Sequence, residues 1–187
     1  MKQISFWLFP VFFILVGGIF LLPGVLKQNG IIEVDRPVEN ALFDKFDKEN
    51  LLVFFGYVGC RDICTPRLEE IAMLYDSLPP GMQAATEVLF INIKPLGDPD
   101  QSGLFSRSFH PAFKGVSLEG KTLETLMRVF DARYSPSMGR TGEYDHTAFL
   151  YLLKKEDAHY RIKAIFTLVP FNRKAIAHYL FPEKEDA

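Results

Sequence analysis

The chain has few cysteines: only Cys60 and Cys64 occur among its 187 residues. This number excludes a disulfide-rich scaffold, which replaces a hydrophobic core with several cross-links. Basic residues are also not in excess, since 21 Lys and Arg face 23 Asp and Glu and the formal net charge is −2. We therefore expect no nucleic-acid partner. The chain contains no internal repeat and no low-complexity tract.

One long apolar run stands near the N-terminus. From Ile4 to Leu26 no residue is charged, and most are Phe, Leu, Ile or Val. Because a helix needs about 20 apolar residues to cross a bilayer, we predict that residues 1–27 form a single membrane anchor. A cleaved signal peptide is the alternative, but its apolar core covers only about 7–15 residues, and no small-x-small cleavage site follows the run.

The rest of the chain divides into a polar segment and a domain. Residues 28–49 carry Pro37 and scattered charges, which predicts a stalk. Residues 50–187 are numerous enough for one ordinary hydrophobic core.

Hydrophobic patterning predicts alternating strands and helices in this domain. A continuous apolar run at residues 51–58 is typical of a strand that is buried on both faces, and the mostly apolar residues 87–93, EVLFINI, predict a second buried strand. Between them a helix begins near Thr65, which we predict as its cap, with Pro66 as its first residue. The remaining predictions are a short helix within residues 98–109, a helix over 122–133, strands at 147–153 and 161–168, and a helix over 172–181.

This order of elements, β-α-β-α-β-β-α, resembles the thioredoxin-like plan. We therefore predict an α/β fold of three layers with a central mixed sheet, preceded by one N-terminal transmembrane helix. In such folds ligands gather at the carboxyl ends of the parallel strands. Cys60 and Cys64 follow the first predicted strand, which places them at this edge.

The two cysteines are separated by one helical turn. Side chains at positions i and i+4 share a helix face, so the two sulfurs can close a disulfide or hold a metal together. The dipole of the following helix and Arg61 lower a thiol pKa, whereas Asp62 raises it. A purely structural disulfide is the alternative, but so short a loop gains little closure entropy from a cross-link.

Four segments taken in order resemble the SCO/SenC family. They are FFGYVGCRDIC at residues 54–64, VLFINIKP at 88–95, FHPAFKGVSLEG at 109–120 and YDHTAFLYLL at 144–153. The resemblance covers roughly residues 51–166. It implies a membrane-anchored, thioredoxin-like copper protein that supports assembly of the binuclear copper centre of cytochrome oxidase. By position, the family's copper ligands correspond to Cys60, Cys64 and His146.

The residue types agree with the ligand set that the resemblance implies. Soft thiolates select copper(I), imidazole suits either oxidation state, and three ligands leave room for a partner's ligand. We expect Asp145 to orient the imidazole, and Asp62 is the second acidic neighbour of the site. Weaker ligand candidates are His110, Met138, His159 and His178.

Three residues depart from the pattern of the family. Arg61 and Thr65 stand where the family usually has proline, and Lys94 stands where it usually has an acidic residue. Arg61 and Lys94 place positive charge near the site, so the partner of this chain can differ from that of its relatives.

Two functions of different classes follow from these residues. The resemblance implies a copper metallochaperone that delivers copper to the copper subunit of cytochrome c oxidase, or to another copper or thiol partner. The alternative is a periplasmic thiol-disulfide oxidoreductase, with Cys60 as attacking thiolate and Cys64 as resolving thiol. His146 favours the first function, because an oxidoreductase needs no imidazole there. A copper or redox sensor is a third idea, although the sequence offers no sensor domain.

The expected location follows from the anchor and the resemblance. We predict a single-pass protein of a bacterial inner membrane, with residues 50–187 facing the periplasm. A mitochondrial origin is disfavoured because no Arg- and Ser-rich presequence precedes the apolar run.

Overall fold

The computed structural model describes residues 30–95, 98, 100–139 and 142–182. The predicted membrane anchor, residues 1–27, lies outside this part of the chain. Within the described part, no helix combines the length and the apolar character that a bilayer crossing requires.

Strands and helices alternate along the described chain. The strands are β1 (Ile31–Val38), β2 (Asn50–Gly56), β3 (Thr86–Asn92), β4 (Lys114–Ser117), β5 (Tyr134–Pro136), β6 (Tyr144–His146), β7 (Leu150–Glu156) and β8 (His159–Phe166). The helices are α1 (Cys64–Ser77), α2 (Pro80–Ala84), α3 (Gln101–Arg107), α4 (Gly120–Val129) and α5 (Arg173–Leu180), and a short 3-10 helix spans Phe43–Lys45.

Six of these strands form one mixed sheet in the order β1-β8-β7-β2-β3-β4. Strands β2, β3 and β4 run parallel, whereas β7, β8 and β1 join in antiparallel pairs. Every residue of β2 and β3 is buried, as these two mostly apolar segments predict. Strands β5 and β6 pair only with each other among the described residues and form a separate antiparallel ribbon.

Helices cover both faces of the sheet. Gly56 of β2 faces Cys64 at the start of α1, whereas its neighbour Phe55 contacts Phe130 at the end of α4 in an edge-to-face arrangement, with ring centroids 5.1 Å apart. Because successive residues of a strand point to opposite faces, α1 and the end of α4 lie on opposite sides. The predicted three layers are therefore present.

The stalk predicted for residues 28–49 is wrong from residue 31 onward. Ile31–Val38 forms β1, an edge strand that pairs with β8, and Phe43 and Phe46 are buried in the core. An edge strand keeps charged residues and proline on its solvent side, and for this reason β1 has the composition of a linker. The folded domain thus begins near residue 31 rather than at residue 50.

The predicted cap of the first helix is also wrong. Helix α1 begins at Cys64, and Thr65 lies inside its first turn. The Thr65 hydroxyl donates to the carbonyl of Cys60 at 2.9 Å instead of accepting from a backbone N–H. A hydroxyl can act in either way, so the residue type alone does not distinguish the two arrangements.

Gly115 of β4 lies against α3 and generates a stability prediction. A Cβ atom at this position would overlap the carbonyl oxygen of Ser102 and lie 2.8 Å from Ser106 Oγ. Because the carbonyl belongs to the backbone, it cannot move aside as a side chain can. We expect Gly115→Ala to lower the free energy of unfolding by about 1–3 kcal/mol, the usual cost of overpacking, with a lower Tm in thermal unfolding followed by circular dichroism.

Gly81→Ala provides the matched control. Gly81 lies in α2, and a Cβ atom there would have no neighbour within 4 Å, so alanine should leave Tm unchanged or raise it slightly. If Gly115→Ala unfolded at the same temperature as the unsubstituted chain, the close contact between β4 and α3 would be refuted.

Candidate metal centre

The cysteines lie in the turn that joins β2 to α1. Gly59 has a φ of 90°, a left-handed conformation that glycine adopts without steric cost. The Cys60 N–H donates to the Tyr57 carbonyl at 3.1 Å, and the Thr65 N–H donates to the Cys60 carbonyl at 3.3 Å. The backbone of Cys60 is therefore held on both sides.

Asn92, the last residue of β3, joins this turn to the neighbouring strand. Its side chain is fully buried. The Oδ1 atom accepts from the Val58 N–H at 3.0 Å, while Nδ2 donates to the Lys94 carbonyl and to the Ser117 hydroxyl. The sequence analysis did not identify Asn92, although an amide at the end of an otherwise apolar run, VLFIN, is a signal for a buried polar role.

Gly56 makes room for the sulfur of Cys64. Cys64 is fully buried at the first position of α1. A Cβ atom on Gly56 would lie 2.7 Å from Cys64 Sγ and 3.0 Å from the ring of Phe90, so any larger residue would displace the sulfur. Gly56 is thus a further site residue that the sequence analysis missed.

His146 reaches the cysteines from the β5–β6 ribbon. Its Nε2 atom is 3.2 Å from Cys64 Sγ, and its Nδ1 atom is 3.2 Å from the Thr147 carbonyl oxygen. A carbonyl can only accept, so this contact places a proton on Nδ1, and Nε2 is the ring atom that is directed at the sulfur. The edges of aromatic rings, from Phe54 and Tyr57, pack around the imidazole.

The three candidate ligands converge on one point. The ligand atoms of Cys60, Cys64 and His146 all lie within 4.8 Å of one another. Two metal–ligand bonds of about 2.0–2.3 Å span at most about 4.6 Å, so small side-chain adjustments bring the three atoms onto one ion. Both cysteines are free thiols, and this set of sulfur and nitrogen donors suits copper.

The two thiols differ strongly in acidity. A hydrogen bond from the Cys64 thiol lowers the pKa of Cys60 to about 3, assisted by His146 and by the N–H groups of Ile63 and Cys64, and outweighs the effect of burial. The same hydrogen bond raises the pKa of Cys64, since its proton is the one being shared, and burial raises it further. At neutral pH the pair therefore holds one proton and one negative charge.

The other residues named by the sequence analysis are not among the three converging groups, although Asp62 lines the pocket beside Cys60 and Asp145 lines the depression beside His146. Asp62 and Asp145 are exposed, and the Thr147 carbonyl occupies the position at Nδ1 where Asp145 was expected to act. A role for either carboxylate stays a prediction. His110 pairs with Asp76 at 3.1 Å, in the last turn of α1 and thus at the opposite end of that helix from Cys64. Exposed side chains also belong to Met138, His159 and His178.

The shared proton predicts an unusual titration of the reduced, metal-free chain. Ultraviolet absorbance should show one thiolate from acidic pH upward, because the folded pKa of Cys60 is far below the ordinary thiol value of about 8.5. The second thiolate, that of Cys64, should not form at the pH at which an ordinary thiol titrates, because the pKa of Cys64 is raised. In Cys64→Ala the hydrogen-bond donor is lost, so the pKa of Cys60 should rise by several units, and its titration should move to higher pH.

Cys60→Ala serves as the reciprocal control, since Cys64 then lacks a thiolate neighbour and its pKa should fall toward the ordinary range. Two thiolates that both appear near the ordinary pKa in the unsubstituted chain would contradict the shared proton.

Known proteins resemble this chain over most of the described residues. The sequence model of the SCO1/SenC family matches residues 35–178. The SCO2-like protein of Rickettsia prowazekii is 30% identical over 149 residues, which are 75% of this chain and 71% of that protein. The mitochondrial SCO1 homolog 1 of Arabidopsis thaliana is 24% identical over 144 residues, which are 75% of this chain but 40% of that protein. A protein of Stutzerimonas stutzeri that is described as copper-binding is 26% identical over 133 residues, covering 68% of this chain and 63% of its own length.

Solved structures agree with the fold. Apo Sco1 from Thermus thermophilus has a TM-score of 0.62 and 26% identity, and the match covers 80% of this chain and 90% of that one. Copper-bound ScoI from Bradyrhizobium japonicum has a TM-score of 0.59 and 24% identity, and the match covers 80% of this chain and 97% of that one. These likenesses confirm the thioredoxin-like α/β fold with a central mixed sheet.

Proposed function

The chain belongs to the SCO1/SenC family, and we propose that it binds one copper ion through Cys60, Cys64 and His146. The observation that carries the proposal is the convergence of two sulfurs and one imidazole nitrogen within 4.8 Å. Thiolates and imidazole are the ligands that copper prefers among protein side chains. The copper-binding description of the relative from Stutzerimonas stutzeri supports the same conclusion.

Each ligand has a defined state before copper arrives. Cys60 is already a thiolate, and His146 directs its Nε2 atom at the sulfur of Cys64. Cys64 holds the remaining proton, which must leave when the second sulfur binds copper. Copper loading of the reduced chain therefore releases one proton from the dithiol at neutral pH.

We further propose that the chain is a metallochaperone that passes its copper to the copper subunit of cytochrome c oxidase. Three protein ligands leave a coordination position for an incoming ligand. Cys60 lines a surface pocket of about 300 Å³ with Tyr57 and Arg61, and His146 lines a second depression beside Phe149. Two of the three ligands thus border openings from which a partner's ligand can approach, while Cys64 is fully buried.

Removal of His146 tests the copper site. In an anaerobic titration of the reduced full chain against a competing copper(I) chelator, we expect one tightly bound copper. His146→Ala should weaken the affinity by more than about 100-fold, since even loss of an outer hydrogen-bond partner costs a metal site 10- to 100-fold. His110→Ala is the matched control, because His110 pairs with Asp76 away from the cysteines, and its affinity should not change.

Copper affinity that is equal in His146→Ala and in the unsubstituted chain would remove His146 from the site. Tight binding by both Cys60→Ser and Cys64→Ser would indicate that copper is held elsewhere.

The difference in pKa between the thiols of Cys60 and Cys64 supports a second candidate function, thiol-disulfide exchange. The Cys60 thiolate would attack one sulfur of a substrate disulfide and release the other as a thiolate. Cys64, once deprotonated, would attack Cys60 Sγ, release the second substrate sulfur and leave a Cys60–Cys64 disulfide, so that two electrons pass to the substrate. Rapid exchange that is unaffected in His146→Ala, combined with weak copper binding, would favour this function over the first.

We also propose that the chain is a single-pass protein of a bacterial inner membrane whose folded domain faces the periplasm. The uncharged residues 4–26 support the anchor. A reporter enzyme that is active only outside the cytoplasm, fused after Ala187, should be active in cells. Activity confined to a matched reporter that works only in the cytoplasm would reverse the proposed orientation.

A further inference from the structure

The ribbon that carries His146 shares no backbone pairing with the six-stranded sheet in the described part of the chain. Cys60 and Cys64, by contrast, follow directly from the central strand β2. Three residues connect His146 to β7 of the sheet, so the distance between the histidine and the cysteines depends on this short connection and on the side chains that bridge the ribbon and the sheet. A metal site tolerates only small errors in the positions of its ligands, so such bridging residues affect metal affinity.

Lys94 forms one of these bridges. It follows β3, and its Nζ atom donates to the carbonyl of Gly142 at 2.7 Å. Only Glu143 separates Gly142 from β6, the strand that ends at His146. The same Nζ atom lies 5.8 Å from the centroid of the Tyr57 ring, within range of a cation–π interaction.

Both ends of this bridge are connected to the metal ligands. The Lys94 carbonyl accepts from Asn92, whose side chain also holds the turn that contains Cys60 through Val58. The Tyr57 ring makes edge contacts with His146 and with Tyr144, at centroid distances of 5.9 and 6.0 Å. A displacement of the Lys94 ammonium group would therefore alter the packing of the ribbon on the cysteine turn.

The contact depends on the chemistry of lysine. An ammonium group is a donor and can bind the Gly142 carbonyl, whereas a carboxylate is only an acceptor and would be repelled by that oxygen. Lys94 stands where the family resemblance leads us to expect an acidic residue, which could not make this contact.

We propose that Lys94 is a positioning residue for the copper site, which acts by tying the ribbon that carries His146 to the turn that carries Cys60. The proposal rests on the proposed copper function. Lys94 does not contact the metal, and its effect on copper passes through His146.

Copper affinity tests this role in the full, reduced chain. Lys94→Leu keeps an apolar stem, removes the charge and the donors and adds no metal ligand, and it should lower the copper(I) affinity about tenfold. Lys94→Arg should retain most of the affinity. Lys121→Leu, which removes an exposed lysine of α4, is the matched control and should have no effect.

A double-mutant cycle identifies the route of the effect. If Lys94 acts through His146, Lys94→Leu should cause no further loss of copper affinity in the His146→Ala chain. An equal loss in both backgrounds, or no loss in either, would overturn the proposal.

Hydrogen exchange of the metal-free chain separates this proposal from the copper function. Lys94→Leu should speed exchange at the ribbon amides of Ser137 and Thr147, which donate to the Glu143 and Arg133 carbonyls, but not at Leu52 in the central strand. This result does not require copper binding, so it decides whether Lys94 holds the ribbon even if the unsubstituted chain binds no copper. Unchanged exchange at both ribbon amides would refute the bridge.

Discussion

The contact between Cys64 Sγ and His146 Nε2 joins the start of helix α1, which follows the central strand β2, to the separate two-stranded ribbon. It depends on three local conditions. Gly56 leaves space for the sulfur above the central strand, the Thr147 carbonyl keeps a proton of the imidazole on Nδ1, and Phe54 and Tyr57 enclose the ring.

The charge of the site follows from the same arrangement. The buried Cys64 thiol keeps its proton and donates it toward Cys60, which stabilises the Cys60 thiolate without a nearby lysine or arginine being required. A soft metal ion can replace that shared proton, and so can a bond between the two sulfurs. Metal binding and thiol-disulfide exchange would therefore compete for one pair of sulfurs, because a metal needs both as thiolates and a disulfide consumes both.

The hydrophobic periodicity of the sequence correctly predicted those strands and helices that are buried in a regular pattern. The predicted strands β2 and β3 and the predicted helices α1 and α4 are confirmed. A strand that is buried on both faces is apolar along most of its length, and a helix that is buried along one stripe has apolar residues at helical spacing, so both are recognisable in the sequence. Strand β1 was mistaken for a stalk because an edge strand is polar. Strands β4, β5 and β6 have only three or four residues each, which is too short for a repeating pattern to be recognised.

The amino-acid sequence by itself determined the spacing of Cys60 and Cys64, their position between a buried strand and a helix, and the family to which the four motifs point. These features depend on residues that are close together in the chain. Only the tertiary structure decided that His146, which is 82 positions from Cys64, meets its sulfur, that Gly56 opens the space for it, and that Lys94 reaches the ribbon at Gly142. Such contacts join segments whose own periodicity carries no information about each other, so they exist only once the sheet and the ribbon have packed together.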